Sequence, residues 1–153
     1  MEKSYSLNFY GYFVDSVGLP ANSGIYCVYA CVHNAAAQTV DLRRLLYIGE
    51  AANVRSRVDG HERRKIWELE LQRGEVLCYS SALIRPESDR QRAEAAMIHQ
   101  HKPPWNVEYV DSFPFGTTTV STDGRNALLS PYFTVYSTTG REIHTLLRGT
   151  TPW

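Results

Sequence analysis

The stretch GIYCVYACV at residues 24–32 and the shorter LLYIG at residues 45–49 decide the fold predicted for this chain. The first is rich in β-branched and aromatic residues and the second is short and apolar, which favours strands in both. A small-polar loop at residues 33–41 separates them, so we expect two adjacent antiparallel strands. Residues 76–81 predict a third strand.

Helix signals follow these strands. Asn53 is a good N-cap for a helix that Gly60 ends, and residues 61–73 predict another helix. Residues 86–100 carry the clearest helical pattern, with acidic residues early, histidines late and Pro103-Pro104 as a stop. His99 and His101 lie two positions apart, on different sides of this helix, so they cannot share a metal.

The whole sequence of 153 residues predicts a single domain. We expect an N-terminal arm at 1–23, a core at 24–106 and a β-rich C-terminal extension at 107–153. Strands are predicted within that extension at 117–121 and 132–137. The predicted fold class is α/β (α+β), with a small three-stranded central sheet flanked by helices.

Charge and cysteine content bound the function. The 16 basic and 16 acidic side chains balance, so a nucleic-acid partner cannot be inferred from the net charge, and a local basic patch is not excluded. Residues 43–102 carry an excess of three positive charges. The default interpretation of the densest basic run is a solvated helix face. This run consists of Arg55, Arg57, Arg63, Arg64 and Lys65. Three cysteines, no signal-peptide pattern and no long apolar run predict a cytoplasmic protein without a membrane span.

Gly24-Ile25-Tyr26 and Tyr47-Ile48-Gly49, followed by Arg57 and His61, then Glu94 and Asn106, form a specific combination. The chain resembles the GIY-YIG endonuclease superfamily over residues 24–106. This resemblance implies divalent-metal-dependent hydrolysis of a phosphodiester, with Mg²⁺ or Mn²⁺ as the cofactor.

The resemblance also implies a role for each matching residue. Glu94 would bind the metal, although by itself it reads as an exposed helical residue paired with Arg90. Arg57 would hold the scissile phosphate with its planar donor fork. Tyr26 would orient or deprotonate the attacking water, and Tyr47 would line the same pocket and hydrogen-bond nearby. His61 would relay the proton from Tyr26 or contact phosphate.

A wider set of residues, which includes Arg57, would contact the nucleic acid. Asn106 would orient either a backbone group or a phosphate, or serve packing alone. Glu50 departs from the family, many members of which have lysine there, and this either weakens phosphate binding or recruits a second cation. The residues expected to bind nucleic acid are Arg55, Arg57, Arg63, Arg64, Lys65 and Asn106.

The sequence thus predicts an endonuclease that cuts DNA, with RNA as the alternative substrate. Its size fits a small restriction-like, toxin-type or phage-type nuclease, and a homodimer would bring two cutting sites to one duplex. The competing hypothesis is a catalytically weak or inactive module of the same fold that binds nucleic acid or protein.

Overall fold

The computed structural model describes residues 1–139, which form a six-stranded sheet and three α-helices. The sheet order is β3-β2-β4-β1-β5-β6; β1 and β5 run parallel, and all other neighbours are antiparallel. The strands are β1 (Lys3–Phe13), β2 (Gly24–Asn34), β3 (Thr39–Ala51), β4 (Val76–Leu83), β5 (Thr118–Gly124) and β6 (Tyr132–Val135). The helices are α1 (Val54–Asp59), α2 (Arg64–Leu69) and α3 (Glu87–His101).

The predicted small sheet of three strands flanked by helices is wrong. The three expected strands exist as β2, β3 and β4, with β2 antiparallel to both others. The N-terminal arm adds β1 beside β4, and residues after 107 add β5 beside β1. The parallel pair joins Lys3 to Thr118 without a local turn, so no short-range sequence signal specifies it. The part of the predicted extension at residues 140–153 lies outside the described residues.

The sheet curls into a half-barrel, and α3 lies within the curl. This helix contacts both β3 and β6, which are the two opposite edges of the sheet. The first hydrophobic core fills the space between them. Its fully buried members include Phe9, Tyr29, Ala93, Ala95, Ala96, Met97 and Phe113.

The short helices α1 and α2 cover the other face of the sheet over β2, β3 and β4. A second core forms there around Tyr26, Val28 and Trp67. Because β2 is covered on both faces, residues 24–31 are all buried, and this explains their continuous apolar sequence. The Asn53 cap of α1 is confirmed, with its side chain accepting a hydrogen bond from the Ser56 amide.

One helix is shorter than predicted. The helix predicted at 61–73 is shorter and occupies Arg64–Leu69, with no side-chain cap at its start. Within residues 1–139, no helix combines the length and the apolar character needed to cross a bilayer.

Candidate active site

A cavity of about 520 Å³ opens beside β3, which is an edge strand of the sheet. Its lining includes Tyr47 from β3, Arg57 from α1, Arg63 just before α2, Glu94 from α3 and Asn106 from the segment after α3. The sequence predicted a site role for every one of these five residues. The fold therefore gathers side chains that are far apart in the chain into one concave surface.

At Gly24 and Gly49, the glycines of the two strand motifs, neighbouring atoms lie too close to leave room for a side chain. Tyr26 is the direct cross-strand neighbour of Gly49, and a Cβ at Gly49 would lie only 2.4 Å from the Tyr26 hydroxyl oxygen. A Cβ at Gly24 would likewise lie 2.4 Å from the carbonyl oxygen of Ala82. The motif thus lets the Tyr26 ring lie over β3 and lets β4 approach the start of β2.

A β-bulge at Leu46 sets the direction of Tyr47. The register pairs Tyr47 with Val28 and Leu45 with Tyr29, and Leu46 is skipped. Leu46 and Tyr47 consequently both pack against the second core, where strict alternation would have separated them. The centroid of the Tyr47 ring lies 6.3 Å from that of Tyr26.

The spacing of four residues between Arg57 and His61 predicts that both lie on one helix face. His61 instead lies behind Tyr47. Sharing a helix face with Arg57 would need α1 to continue, but α1 ends at Asp59. The His61 ring centroid is instead 5.4 Å from that of Tyr47 and 4.4 Å from that of Trp67. These contacts with aromatic rings bury His61, so its surroundings are largely apolar.

Burial, reinforced by the positive charge of Arg57, lowers the pKa of the His61 imidazole to about 4. The imidazole is therefore neutral at neutral pH. Its Nδ1 accepts a hydrogen bond of 3.0 Å from the Arg63 amide, which leaves the ring proton on Nε2. Among the described residues, Nε2 has no hydrogen-bond partner. In this tautomer the Nε2 of His61 can donate a hydrogen bond but cannot accept a proton.

Glu94 is half-buried and forms no ion pair within residues 1–139. Burial, followed by the negative charges of Glu50 and Glu108, raises the pKa of its carboxyl to about 8. The pairing with Arg90 that was the alternative interpretation is not formed. At neutral pH this carboxyl is therefore largely protonated, and a bound cation would lower its pKa and favour the carboxylate.

Arg90 pairs with Glu50 instead. Its guanidinium is buried, bonds the Glu50 carboxylate and donates to Ser23 Oγ at 3.0 Å. Ser23 in turn donates to the carbonyl oxygen of Ile84 at 2.7 Å. The negative charge of Glu50, the departure from the family pattern, is thus compensated inside the protein by a residue of α3.

Two guanidinium groups belong to the cavity. Arg57 is exposed and has no ion pair in the described part of the chain, and it lies close enough to Tyr26 and His61 to affect their pKa values. Arg63 donates from Nη1 to the Trp105 carbonyl at 3.0 Å and stacks 5.8 Å above the centre of the Tyr47 ring. Both are suited to bind an anion within the cavity.

The other predicted nucleic-acid-binding residues lie outside the lining of the cavity. Arg55 donates from Nε to the carbonyl oxygen of Leu19 at 2.7 Å, which fixes the chain before β2. Arg64 forms an exposed ion pair with Glu68 at 3.3 Å, and Lys65 is exposed. The structure does not bring these three together with Arg57.

Asn106 binds the backbone of the second motif strand. Its Oδ1 accepts from the Ile48 amide at 2.9 Å, and its Nδ2 donates to the Ile48 carbonyl at 2.8 Å. The neighbouring Trp105 amide donates to the Leu46 carbonyl at 3.2 Å. Of the three roles considered for Asn106, the structure supports orientation of a backbone group, because its amide completes the outer edge of β3.

Glu94 is also the residue that would hold a metal. The described residues contain no group of three or more His, Cys, Asp and Glu side chains placed to hold a metal ion. A single carboxylate fits Mg²⁺, which keeps several waters and takes phosphate oxygens as further ligands. The lack of an ion pair at Glu94 fits that use, and because its pKa is about 8, metal binding would displace the carboxyl proton.

Sequence reasoning missed part of the cavity. Glu62, Glu108 and Tyr109 also line it. Residues 108 and 109 follow the Pro103-Pro104 stop in a segment without regular structure, where neither periodicity nor a motif indicates direction. The long-range pair of Glu50 with Arg90 was missed because helical spacing favours pairs within α3.

The chain matches no protein-family model, no curated protein and no solved structure in comparisons with all three. The resemblance to the GIY-YIG superfamily therefore stays a prediction from the motif residues.

Proposed function

We propose that this protein is a divalent-metal-dependent endonuclease that hydrolyses phosphodiester bonds of DNA, with RNA as the alternative substrate. The observation that carries the proposal is the common cavity. Tyr47, Arg57, Glu94 and Asn106, which the motif pattern selects, all line it. The rings of Tyr26 and His61 lie directly behind Tyr47.

Each side chain has a role that its environment supports. Arg57 would bind a non-bridging phosphate oxygen, since no carboxylate in the described residues competes for its guanidinium. Burial raises the pKa of both Tyr26 and Tyr47, so both are protonated phenols at neutral pH. They would therefore orient the attacking water by hydrogen bonds rather than act as strong bases.

His61 would donate a hydrogen bond from its buried Nε2 to a tyrosine oxygen, which is consistent with its tautomer. Asn106 would act indirectly by holding β3, and thus Tyr47, in place. Glu94 would hold Mg²⁺ or Mn²⁺. The metal would supply Lewis-acid activation of water and would offset charge on the phosphate.

A second candidate is a module that binds nucleic acid or protein without cutting. One observation favours it: within the described residues, Glu94 is the only predicted metal ligand in the cavity, and no three-ligand group supports it. Such a module would keep Arg57 and Arg63 for anion binding but would not need Glu94 as an unpaired carboxylate.

We also propose a cytoplasmic location. Cys27, Cys31 and Cys78 are all buried free thiols, and Cys31 and Cys78 share a hydrogen bond rather than a disulfide. A reducing compartment fits this state.

The decisive experiment measures cleavage of plasmid and of single-stranded DNA with Mg²⁺ or Mn²⁺. We expect Glu94→Gln and Arg57→Ala each to lower the rate by about 100-fold or more. Glu87→Gln, on an exposed carboxylate of the same helix, and Arg64→Ala should stay near the wild-type rate. Glu94→Gln should not unfold the protein, because it removes a carboxyl whose ionisation the fold disfavours.

Two results would contradict the metal-nuclease proposal. The first is cleavage that persists in EDTA or in Glu94→Gln. The second is binding of nucleic acid without cleavage of any DNA or RNA, and this result would favour the binding module.

A further inference from the structure

Tyr109 forms part of the cavity wall in an unusual backbone conformation. Its φ is +68°, in the left-handed region that a bulky side chain rarely adopts. Lys102 also has a positive φ, but it ends α3, where this conformation is common. Tyr109 lies in a turn at residues 108–109, where glycine or asparagine is the usual residue with a positive φ.

Two side chains from the last turn of α3 and its cap hold this conformation. His99 Nδ1 donates to the carbonyl oxygen of Tyr109 at 2.9 Å. The Lys102 amino group donates to the next carbonyl oxygen, that of Val110. The strained backbone is thus fixed from the same helix that carries Glu94, and strain of this kind is found most often at functional sites.

The side chain of Tyr109 is fixed as well. Its hydroxyl shares a hydrogen bond with the Glu108 carboxylate, and its ring centroid lies 6.1 Å from that of Phe115. The ring lines the cavity together with Ile98 and Val107. A rigid aromatic wall beside aliphatic side chains is the surface against which a nucleobase stacks.

The same cavity contains the guanidinium groups of Arg57 and Arg63, so it has an anion-binding part and an aromatic part. Its volume of about 520 Å³ falls within the range of small-ligand pockets, about 300–1,000 Å³. A base inside a duplex is stacked on both sides, so it must leave the helix before it can stack on a protein ring.

We propose that Tyr109 is the stacking surface for the base of one unpaired nucleotide, whose adjacent phosphate is bound by Arg57 and Arg63. The substrate class is therefore a single strand, because a base inside a duplex would first have to be extruded at a cost in free energy. This inference rests on the proposed function, because it takes the same cavity as the substrate site. Tyr109 is then a specificity-determining residue for the reaction.

Fluorescence anisotropy with labelled oligonucleotides in Ca²⁺ buffer measures the binding directly. The probes are a single strand, its blunt duplex and a single strand with one abasic site at each position in turn. We expect Tyr109→Gly to bind the single strand at least about fivefold more weakly and Tyr109→Phe to stay within about twofold of wild type. Glycine accepts a positive φ, so Tyr109→Gly relieves the strain.

Tyr132→Ala is the matched control, since Tyr132 is a strongly exposed tyrosine of β6. The abasic probes test the same contact without altering the protein. On wild type, one abasic position should weaken binding about as much as Tyr109→Gly does, and on Tyr109→Gly that position should have no further effect.

Three results would overturn the inference: equal affinity of wild type for single strand and duplex, no abasic position with an effect, or full affinity of Tyr109→Gly. Tight single-strand binding that depends on Tyr109 but is never followed by cleavage in Mg²⁺ or Mn²⁺ would support the inference. That same result would contradict the nuclease proposal alone.

Discussion

Replacing Asn106 by alanine tests whether this residue acts on the fold or on the substrate. The side chain makes two hydrogen bonds to Ile48, one to its amide and one to its carbonyl. Ile48 is fully buried, so both backbone groups would lose their partners in a largely dry environment. Water can enter only from the half-exposed side of Asn106.

The magnitude follows from those two bonds. A typical intramolecular hydrogen bond contributes about 0.5–1.5 kcal/mol, and an unsatisfied buried group costs more. With partial replacement by water, we expect Asn106→Ala to lower the free energy of unfolding by about 2 kcal/mol. For a chain of this size, that corresponds to a decrease of roughly 4–8 °C in Tm.

Urea unfolding of wild type and variant measures this change. Asn34→Ala is the control, because Asn34 is exposed and its side chain accepts one hydrogen bond, from the Ala37 amide. We expect it to change stability by about 0.5 kcal/mol or less. An Asn106→Ala protein as stable as wild type but unable to cut nucleic acid would refute the reasoning, because Asn106 would then act on the substrate.

Two further predictions concern His61 and Gly49, which lie next to the ring of Tyr26. His61 is neutral when folded, with a pKa of about 4, whereas an unfolded chain binds a proton below about pH 6.5. His61 alone should therefore lower stability by about 2 kcal/mol from pH 7 to pH 5, while Glu94, whose carboxyl gains its proton in the folded state, acts in the opposite direction. The His61 contribution is the difference between wild type and His61→Gln in urea unfolding at the two pH values, and an identical pH dependence of the two proteins would contradict it. Gly49→Ala places a Cβ 2.4 Å from the Tyr26 hydroxyl and should destabilise the fold by about 1–3 kcal/mol. Gly60→Ala, whose nearest contact is 3.5 Å away, should be much milder, and equal melting temperatures for the two variants would disprove the clash.

The sequence identified local structure well and long-range pairing poorly. The Asn53 cap, the two motif strands and the start and stop of α3 follow from short patterns, and the structure has them all. The place of β1 between β4 and β5 does not follow, because a strand pattern specifies a face but not a partner. The six-stranded sheet could therefore not be predicted from the sequence.

The same division applies to the cavity. Motif spacing selected Tyr47, Arg57 and Glu94, which do meet. Spacing predicted a helix face shared by His61 and Arg57, but α1 ends at Asp59 and His61 lies behind Tyr47, outside the lining of the cavity. It offered no signal for Tyr109, because an irregular segment with a positive φ has no periodicity.

Three alanines of α3, which lies inside the curled sheet, limit how closely the strands can wrap around this helix. Ala93, Ala95 and Ala96 flank Glu94 and are fully buried against the strands. Helix diameter therefore limits the radius of the half-barrel: a larger side chain at any of the three would push the strands outward. That movement would also displace β3, whose outer edge borders the cavity. We therefore expect a larger side chain at any of these three alanines to change both the curvature of the sheet and the width of the cavity mouth.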